Sequence, residues 1–297
     1  MAPFWLSIAV LSLVQGALVA LAGSGAPLRI PWVQRRRGRL WAAVPPLSVI
    51  LFVFVARAAT TASADSLTYL ALVAVPLLAA LALGLLMRGA RPVFALAVVP
   101  LFALAWADRT GLAGQAAAVA LSGLSCVALG VLLAAVTPAR WLAAGIVLMA
   151  CADAALVISE LLQHPNEALN AAHPAAGLPR LQAAVFGAAA MGYGDLFVAG
   201  VLGGLLARRT GDRWAARGAL LVAGFALTFD LLFFAVDVLP ATVPVAAALI
   251  VVVVSRRRVA GGAQPSSGRR RPSSSGQGGV ELAVRHPKRE YDPAERD

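Results

Sequence analysis

The chain has 297 residues, of which 60% are hydrophobic and only 13% charged, and its mean hydropathy is +0.81. This balance excludes a soluble globular domain and indicates a polytopic membrane protein. The net charge of +11 comes from arginines in short loops and in the C-terminal tail rather than along one face, which excludes a nucleic-acid-binding surface.

A membrane-spanning helix needs about 20 apolar residues, and nine stretches approach or exceed that length. They cover residues 4–22, 40–56, 67–87, 93–107, 112–136, 141–162, 181–207, 216–236 and 239–255. The first stretch has no Lys or Arg before it, so we predict a retained span rather than a cleaved signal peptide. Cys126 and Cys151 lie in predicted spans, where no disulfide framework is expected. The predicted fold class is an all-α polytopic membrane protein with nine transmembrane helices.

The composition changes abruptly after Ser255, where three arginines are followed by a stretch rich in Gly, Ser, Pro and charge. Such a stretch cannot bury a core, so residues 259–297 are predicted to form a disordered basic tail. Its positive charge is expected to favour anionic lipid.

The arginine bias between alternate loops predicts the orientation of the bundle. One set of loops contains Arg29, Arg35, Arg36, Arg37, Arg39, Arg88, Arg91, Arg140, Arg208, Arg209, Arg213 and Arg217, and the other contains only Arg57, Arg109 and Arg180. With nine spans, this places the N-terminus outside and the C-terminal tail in the cytoplasm. The high Arg and Ala content with a single lysine, Lys288, favours a bacterial plasma membrane.

Two predicted spans carry a carboxyl group, and an ionisable residue within a membrane span is a candidate functional residue. Asp153 lies 13 residues beyond Arg140, and Asp195 lies 13 residues before Arg208. At 1.5 Å rise per residue, both are about 20 Å from the cytoplasmic boundary. Because consecutive spans run antiparallel, the two carboxyl groups are expected to face each other.

Two neighbouring carboxyl groups that share one proton can act as general base and general acid. Gly192 and Gly194 next to Asp195 are expected to let another backbone approach closely, and Gly200 with Gly204 continues this small-residue pattern. The alternative for each Asp is a simple hydrogen bond to a neighbouring helix.

Other polar residues carry weaker signals. Asp230 lies 13 residues beyond Arg217 and is predicted to be either a third polar partner or a protonated Asp bonded within the bundle. His164 and His173 fit no helical metal pair and are assigned to an exposed loop. Asp237 is expected to be solvated, and Pro244 to mark an irregular helix entrance.

The motifs of the second half are similar to those of the presenilin and signal peptide peptidase family of intramembrane aspartyl proteases. Three match in the family's order: Asp153 in span six, Gly192-Tyr193-Gly194-Asp195 in span seven, and Pro240-Ala241-Thr242 where the family has Pro-Ala-Leu. The resemblance covers residues 141–255, and residues 1–140 match only in the number of spans. Two departures are Ala152, where the family usually has Tyr, and Thr242 in place of Leu.

The resemblance implies a presenilin-like bundle in which Asp153 and Asp195 are catalytic and no metal or organic cofactor takes part. It also implies that Gly192, Tyr193 and Gly194 pack the active site and that Pro240, Ala241 and Thr242 hold an unwound transmembrane peptide substrate. The chain is accordingly divided into a five-helix part (1–140), a catalytic four-helix part (141–258) and the tail (259–297).

Three alternatives remain. The two departures leave open a catalytically inactive homologue. A prepilin-peptidase-like aspartyl protease also pairs an Asp with Gly-x-Gly, but it cuts near the cytoplasmic face, and the Ile-Pro pair expected near its first Asp is absent after Asp153. A proton-coupled transporter would bury several carboxyl groups, and inverted repeats with broken helices would be expected.

Overall fold

The computed structural model describes residues 3–23, 38–43, 47, 61–159, 178–210, 212–236 and 239–262, and helices dominate this part of the chain. The long helices are α1 (Phe4–Leu21), α2 (Thr61–Leu81), α3 (Val98–Ala107), α4 (Leu112–Val136), α5 (Ala139–Ile158), α6 (Tyr193–Thr210), α7 (Asp212–Asp230) and α8 (Val243–Gly262). Single turns of 3₁₀ or π geometry occupy Arg39–Ala43, Ala82–Leu86, Pro92–Ala97 and Leu231–Phe234, and two short strands are β1 (Ala183–Phe186) and β2 (Ala189–Gly192).

Five helical segments of the described residues are long and apolar enough to cross a membrane: Phe4–Leu21, Thr68–Leu86, Leu112–Val136, Ala139–Ile158 and Arg213–Phe234. The apolar helix Pro92–Ala107 is shorter. Large apolar side chains such as Leu77 (66% exposed) and Val99 (68%) point outward, as expected for a surface covered by lipid. The prediction of a helical membrane protein is therefore confirmed in its coarse form.

The count of nine spans is not established by these helices. Most of predicted span 40–56 lies outside the described residues, and so do His164, His173, Asp237 and residues 263–297. α6 contains three charged residues, Asp195, Arg208 and Arg209, and is not among the five candidate spans.

The seventh predicted span differs from the structure, because residues 183–192 are not helical. β1 and β2 form an antiparallel hairpin in which Phe186 pairs with Ala189, so the turn has two residues, Gly187 and Ala188. Gly187 has a φ of 58°, a positive value that glycine adopts without strain and that two-residue hairpin turns need at their first position. An apolar run rich in alanine has no periodicity that separates a buried strand from a helix, which is why the helix prediction was wrong here.

Two side chains from other helices hold the hairpin turn. The backbone N–H of Gly187 donates to Oε1 of Gln115 in α4 at 2.7 Å, and that of Ala188 donates to Oγ of Ser7 in α1 at 3.2 Å. These two bonds satisfy both N–H groups of the turn and join the hairpin to α1 and α4.

α6 is the central helix of the bundle. It contacts α1, α4, α5, α7 and α8. The side chains of Leu196, Val198, Ala199, Val201 and Leu202 are all fully buried. The hydrophobic core therefore surrounds the helix that begins two residues before Asp195.

Glycines let α4 and α6 touch along their backbones. A Cβ atom added to Gly200 would collide with the carbonyl group of Cys126, and one added to Gly130 would collide with the backbone of Gly200. A Cβ on Gly204 would lie 2.8 Å from the carbonyl oxygen of Gly130. The small-residue pattern predicted at Gly200 and Gly204 is confirmed as a helix contact.

α1 packs against α7 and α6 in a similar way. A Cβ on Gly16 would lie 2.9 Å from the carbonyl oxygen of Ala219 in α7. Oγ of Ser12 donates to Oδ2 of Asp230 at 2.6 Å, so a hydrogen bond also joins the two helices. The first helix of the chain is thus fixed to helices near its end.

α8 begins at Val243 rather than at residue 239. It continues through Arg256, Arg257 and Arg258 to Gly262, so the prediction that disorder begins at residue 259 is wrong for residues 259–262. Thr242 stands directly before the helix, a position where threonine is favoured. Pro244 lies in the first turn, where its missing N–H leaves no intrahelical bond broken.

We expect Gly200→Ala to lower the free energy of unfolding by about 1–3 kcal/mol, because α4 and α6 must move apart to admit the methyl group. The matched control is Gly224→Ala in α7, where an added Cβ meets no atom within 4 Å. The control should be neutral or mildly stabilising, since glycine is about 1 kcal/mol less favourable than alanine within a helix. Thermal unfolding followed by circular dichroism in detergent measures both. Equal stability of the two variants would contradict the backbone contact.

Candidate active site

Asp153 lies in the last third of α5, and its carboxyl group accepts a hydrogen bond from α8's entrance. Oγ1 of Thr242 donates to Oδ2 of Asp153 at 2.6 Å. Thr242 is itself buried, with 1% of its surface exposed. A buried hydroxyl aimed at a carboxyl oxygen lowers the free-energy cost of placing that carboxyl in a membrane span.

Asp195 lies in the first turn of α6, immediately after the hairpin. Its Oδ2 accepts a hydrogen bond from the backbone N–H of Gly192 at 3.2 Å. Gly192 directly precedes the helix, so the bond is the carboxylate half of a capping box, in which the third helical residue satisfies an N–H left free at the helix start. The sequence Gly-x-Gly-Asp thus both ends a strand and begins a helix.

The two carboxyl groups come from helices that contact each other. α5 packs against α6, and α8 packs against both. The carbonyl oxygens of Asp195 and Ala241 both accept from Nε2 of Gln15, and Thr242, the neighbour of Ala241, binds Asp153. Neither Asp153 nor Asp195 is fully buried. The structure therefore brings Asp153, Asp195 and Thr242 into one cluster with access from outside the core.

The glycines of the motif do not act as expected. A Cβ on Gly194 would make an ordinary contact with Cε of Met149 at 3.7 Å, and one on Gly192 would lie 3.1 Å from Oδ2 of Asp195. The expectation that Gly192 and Gly194 admit a neighbouring backbone is wrong. Gly192 instead leaves room for the Asp195 carboxyl to accept a hydrogen bond from the backbone N–H of Gly192.

Tyr193 anchors the start of α6 to α4. Its hydroxyl is 2.7 Å from Oγ of Ser125, which donates to the carbonyl oxygen of Ser122 at 2.6 Å. Oγ of Ser122 in turn donates to the carbonyl oxygen of Leu181, just before the hairpin, at 2.9 Å. This chain of hydrogen bonds holds both ends of the segment 181–193 against one helix.

Gln15 of α1 is a residue of the site that the sequence analysis missed. Its side chain is fully buried, and its Nε2 donates to the carbonyl oxygen of Ala241 at 2.9 Å and, over a longer 3.4 Å, to that of Asp195. A lone amide in an otherwise apolar span was a visible signal, because polar side chains in spans join helices.

Of the other predicted residues, Pro240 and Ala241 border the cluster, whereas Asp230 has a different partner. Pro240 and Ala241 form the turn before α8, where the N–H of Val243 donates to the carbonyl oxygen of Pro240 at 3.2 Å. The Asp230 carboxyl accepts a hydrogen bond from Ser12. Within the described residues, no hydrogen bond links it to the carboxyl pair. The described ranges contain no group of three or more His, Cys, Asp and Glu side chains placed to hold a metal ion.

Comparison with known proteins returns no relative. No family model, curated protein or solved structure matches this chain.

We expect Thr242→Val to destabilise the protein by about 1–3 kcal/mol, because the shape is kept while the carboxyl of Asp153 loses its donor. Thr242→Ser keeps the hydroxyl and is the control, with an expected loss below about 1 kcal/mol. The melting temperatures of the two purified variants in the same detergent provide the comparison. A valine variant as stable as the serine variant would show that the hydrogen bond contributes nothing.

Proposed function

We propose that this chain is an intramembrane aspartyl protease that resembles signal peptide peptidase and hydrolyses peptide bonds within transmembrane segments. The observation that carries the proposal is the pair of Asp153 and Asp195, which lie in one cluster on contacting helices and each have their own hydrogen-bond donor. A paired carboxyl site of this kind can hold one shared proton.

The reaction follows from that shared proton. The ionised carboxylate accepts a proton from a water molecule, whose oxygen attacks the carbonyl carbon of the substrate peptide bond. The protonated carboxyl donates its proton to the carbonyl oxygen, giving a tetrahedral diol. When the C–N bond breaks, the leaving nitrogen takes a proton from the carboxyl that had acted as base, and one hydroxyl of the diol gives its proton to the other carboxylate. The products are an amine and a carboxylic acid, and the pair returns to its starting state.

The hairpin supports a substrate that is extended rather than helical. A helical segment hides its carbonyl groups in intrahelical bonds, so it must unwind before water can attack. A two-stranded sheet has an outer edge on each strand, and an extended peptide can add to such an edge through main-chain hydrogen bonds. β2 ends at Gly192, three residues before Asp195, so a strand added there would pass beside the carboxyl pair. The turn 240–242 is the second proposed contact for this peptide.

The contact made by Thr242 supports an active enzyme over an inactive homologue. The residue departs from the family's Pro-Ala-Leu, yet its hydroxyl donates to Asp153. The polar replacement therefore serves the carboxyl pair directly.

Asp153→Asn and Asp195→Asn should each abolish cleavage, because an amide can neither share the proton nor act as a base. The double variant should be no worse than either single variant, as expected for two groups that act as a unit. Cleavage of a model transmembrane peptide by purified protein in liposomes is the measurement. Asp230→Asn is the matched control, since it removes a third intramembrane carboxyl outside the cluster, and it should still cleave. Substantial activity in either of the first two variants would refute the assignment.

The proposed orientation determines which substrates fit. We propose that the N-terminus is outside and the basic tail cytoplasmic, so that α6, with Asp195 at its start, runs from outside to inside. The active site sets the direction of the peptide in the cleft. The proposed orientation, which by resemblance is that of signal peptide peptidase, should therefore suit segments whose N-terminus is cytoplasmic. Leftover signal peptides and type II membrane anchors are the proposed substrates, in a bacterial plasma membrane.

One transmembrane reporter inserted in both orientations tests this proposal in cells that express the wild type or Asp153→Asn. Cleavage by the wild type should be confined to the reporter with its N-terminus inside. Cleavage of the opposite reporter alone would overturn the orientation without touching the catalytic assignment. Labelling of a cysteine placed in the tail by a membrane-impermeant reagent provides the independent check on topology.

A further inference from the structure

Gln15 combines two hydrogen bonds to distant backbone carbonyl groups with a buried acceptor that has no partner among the described residues. It lies in the middle of α1, its side chain is 0% exposed, and both hydrogen bonds of its Nε2 go to backbone carbonyl oxygens of distant segments. Its Oε1 is buried and has no hydrogen-bond partner among the residues that the structure describes.

The orientation of the amide follows from its surroundings. Nε2 is the only donor of the side chain, and the two groups that face it, the carbonyl oxygens of Ala241 and Asp195, are both acceptors. Reversing the amide would place Oε1 against two carbonyl oxygens. The unpartnered atom is therefore the acceptor Oε1.

Packing alone does not explain a glutamine at this position. A buried acceptor without a partner costs about 1–3 kcal/mol, and an apolar side chain of the same size would avoid that cost. The two bonds donated by Nε2 must therefore account for the glutamine, and both lead to the candidate active site.

The contacts form a chain that joins the two carboxyl groups through α1. On one side, Nε2 of Gln15 binds the carbonyl group of Ala241, whose neighbour Thr242 donates to Asp153. On the other side, Nε2 faces the carbonyl group of Asp195 itself. We propose that Gln15 is a positioning residue that sets the distance between the α8 entrance and the first turn of α6. The α8 entrance binds Asp153 through Thr242, and the first turn of α6 contains Asp195.

This inference rests on the proposed protease function, and its consequence is kinetic. A displacement of about 1 Å between reacting groups can reduce a rate by about 100-fold. Loss of the bonds from Nε2 lets the α8 entrance move relative to α6. The kcat should therefore fall, and KM should change less, because the edge of β2, the first proposed substrate contact, stays in place.

The test replaces Gln15 by Met, which is similar in size and unbranched but donates no hydrogen bond. Ser12→Ala is the matched control, because Ser12 is also buried in α1 and also bonds to a distant helix, through Asp230 rather than the cluster. We expect Gln15→Met to lower kcat by about 10- to 100-fold with KM changed less than about threefold. Ser12→Ala should keep kcat within about twofold, although both variants lose a buried hydrogen bond.

Hydrogen exchange gives a readout that does not depend on activity. The N–H groups of Val243 and Ala246 donate to the carbonyl oxygens of Pro240 and Thr242, and they report on the order of the α8 entrance. Their exchange should become faster in Gln15→Met and stay unchanged in Ser12→Ala. Gln15→Asn, which keeps an amide one methylene shorter, should show the same two effects and serves if the methionine variant does not fold.

The outcomes separate the two proposals. Wild-type cleavage together with unchanged kcat and exchange in both Gln15 variants would overturn the positioning role alone, as would an equal loss of kcat in Ser12→Ala. Absence of cleavage by the wild type, with faster exchange confined to the Gln15 variants, would overturn the protease assignment and support the contact of Gln15 with the α8 entrance.

Discussion

The backbone contact between α4 and α6 is the constraint on which the candidate site depends. Because Gly130, Gly200 and Gly204 have no side chains, the two helices approach until backbone meets backbone. That approach brings Tyr193 within hydrogen-bond distance of Ser125 on α4. Any wider spacing of the helices would shift the first turn of α6, and Asp195 with it.

The second requirement is to satisfy polar groups that hydrocarbon does not solvate. The structure meets it with donors drawn from separate parts of the chain: a side-chain hydroxyl for Asp153, a backbone N–H for Asp195 and a serine for Asp230. The same logic applies to the hairpin turn, whose N–H groups are bound by Gln115 and Ser7. The hairpin turn, Asp153 and Asp230 are thus each bound by another part of the bundle, whereas the Asp195 carboxyl is bound at the start of its own helix.

Sequence patterns predicted the features that depend on composition and on counting residues along a helix. Asp153 and Asp195 were expected at equal depth from their distance to arginines, and the structure places them on contacting helices. The hairpin was missed because residues 183–192 form an apolar run with no periodicity that distinguishes strands from a helix. The role of Gln15 depends on Ala241, which is 226 residues away, and no local pattern reports a contact over that separation.

The packing of α1 also determines when the site can exist during synthesis. Ser12 and Gln15 leave the ribosome early, yet their partners Asp195, Asp230 and Ala241 follow 180 to 226 residues later. At about 5–20 residues per second, the first helix waits on the order of ten to forty-five seconds in the bilayer with its polar groups unmatched. The polar cluster around Asp153 and Asp195 is therefore complete only after α8 has been synthesised, so a nascent chain lacks the finished cluster while its earlier helices are already made.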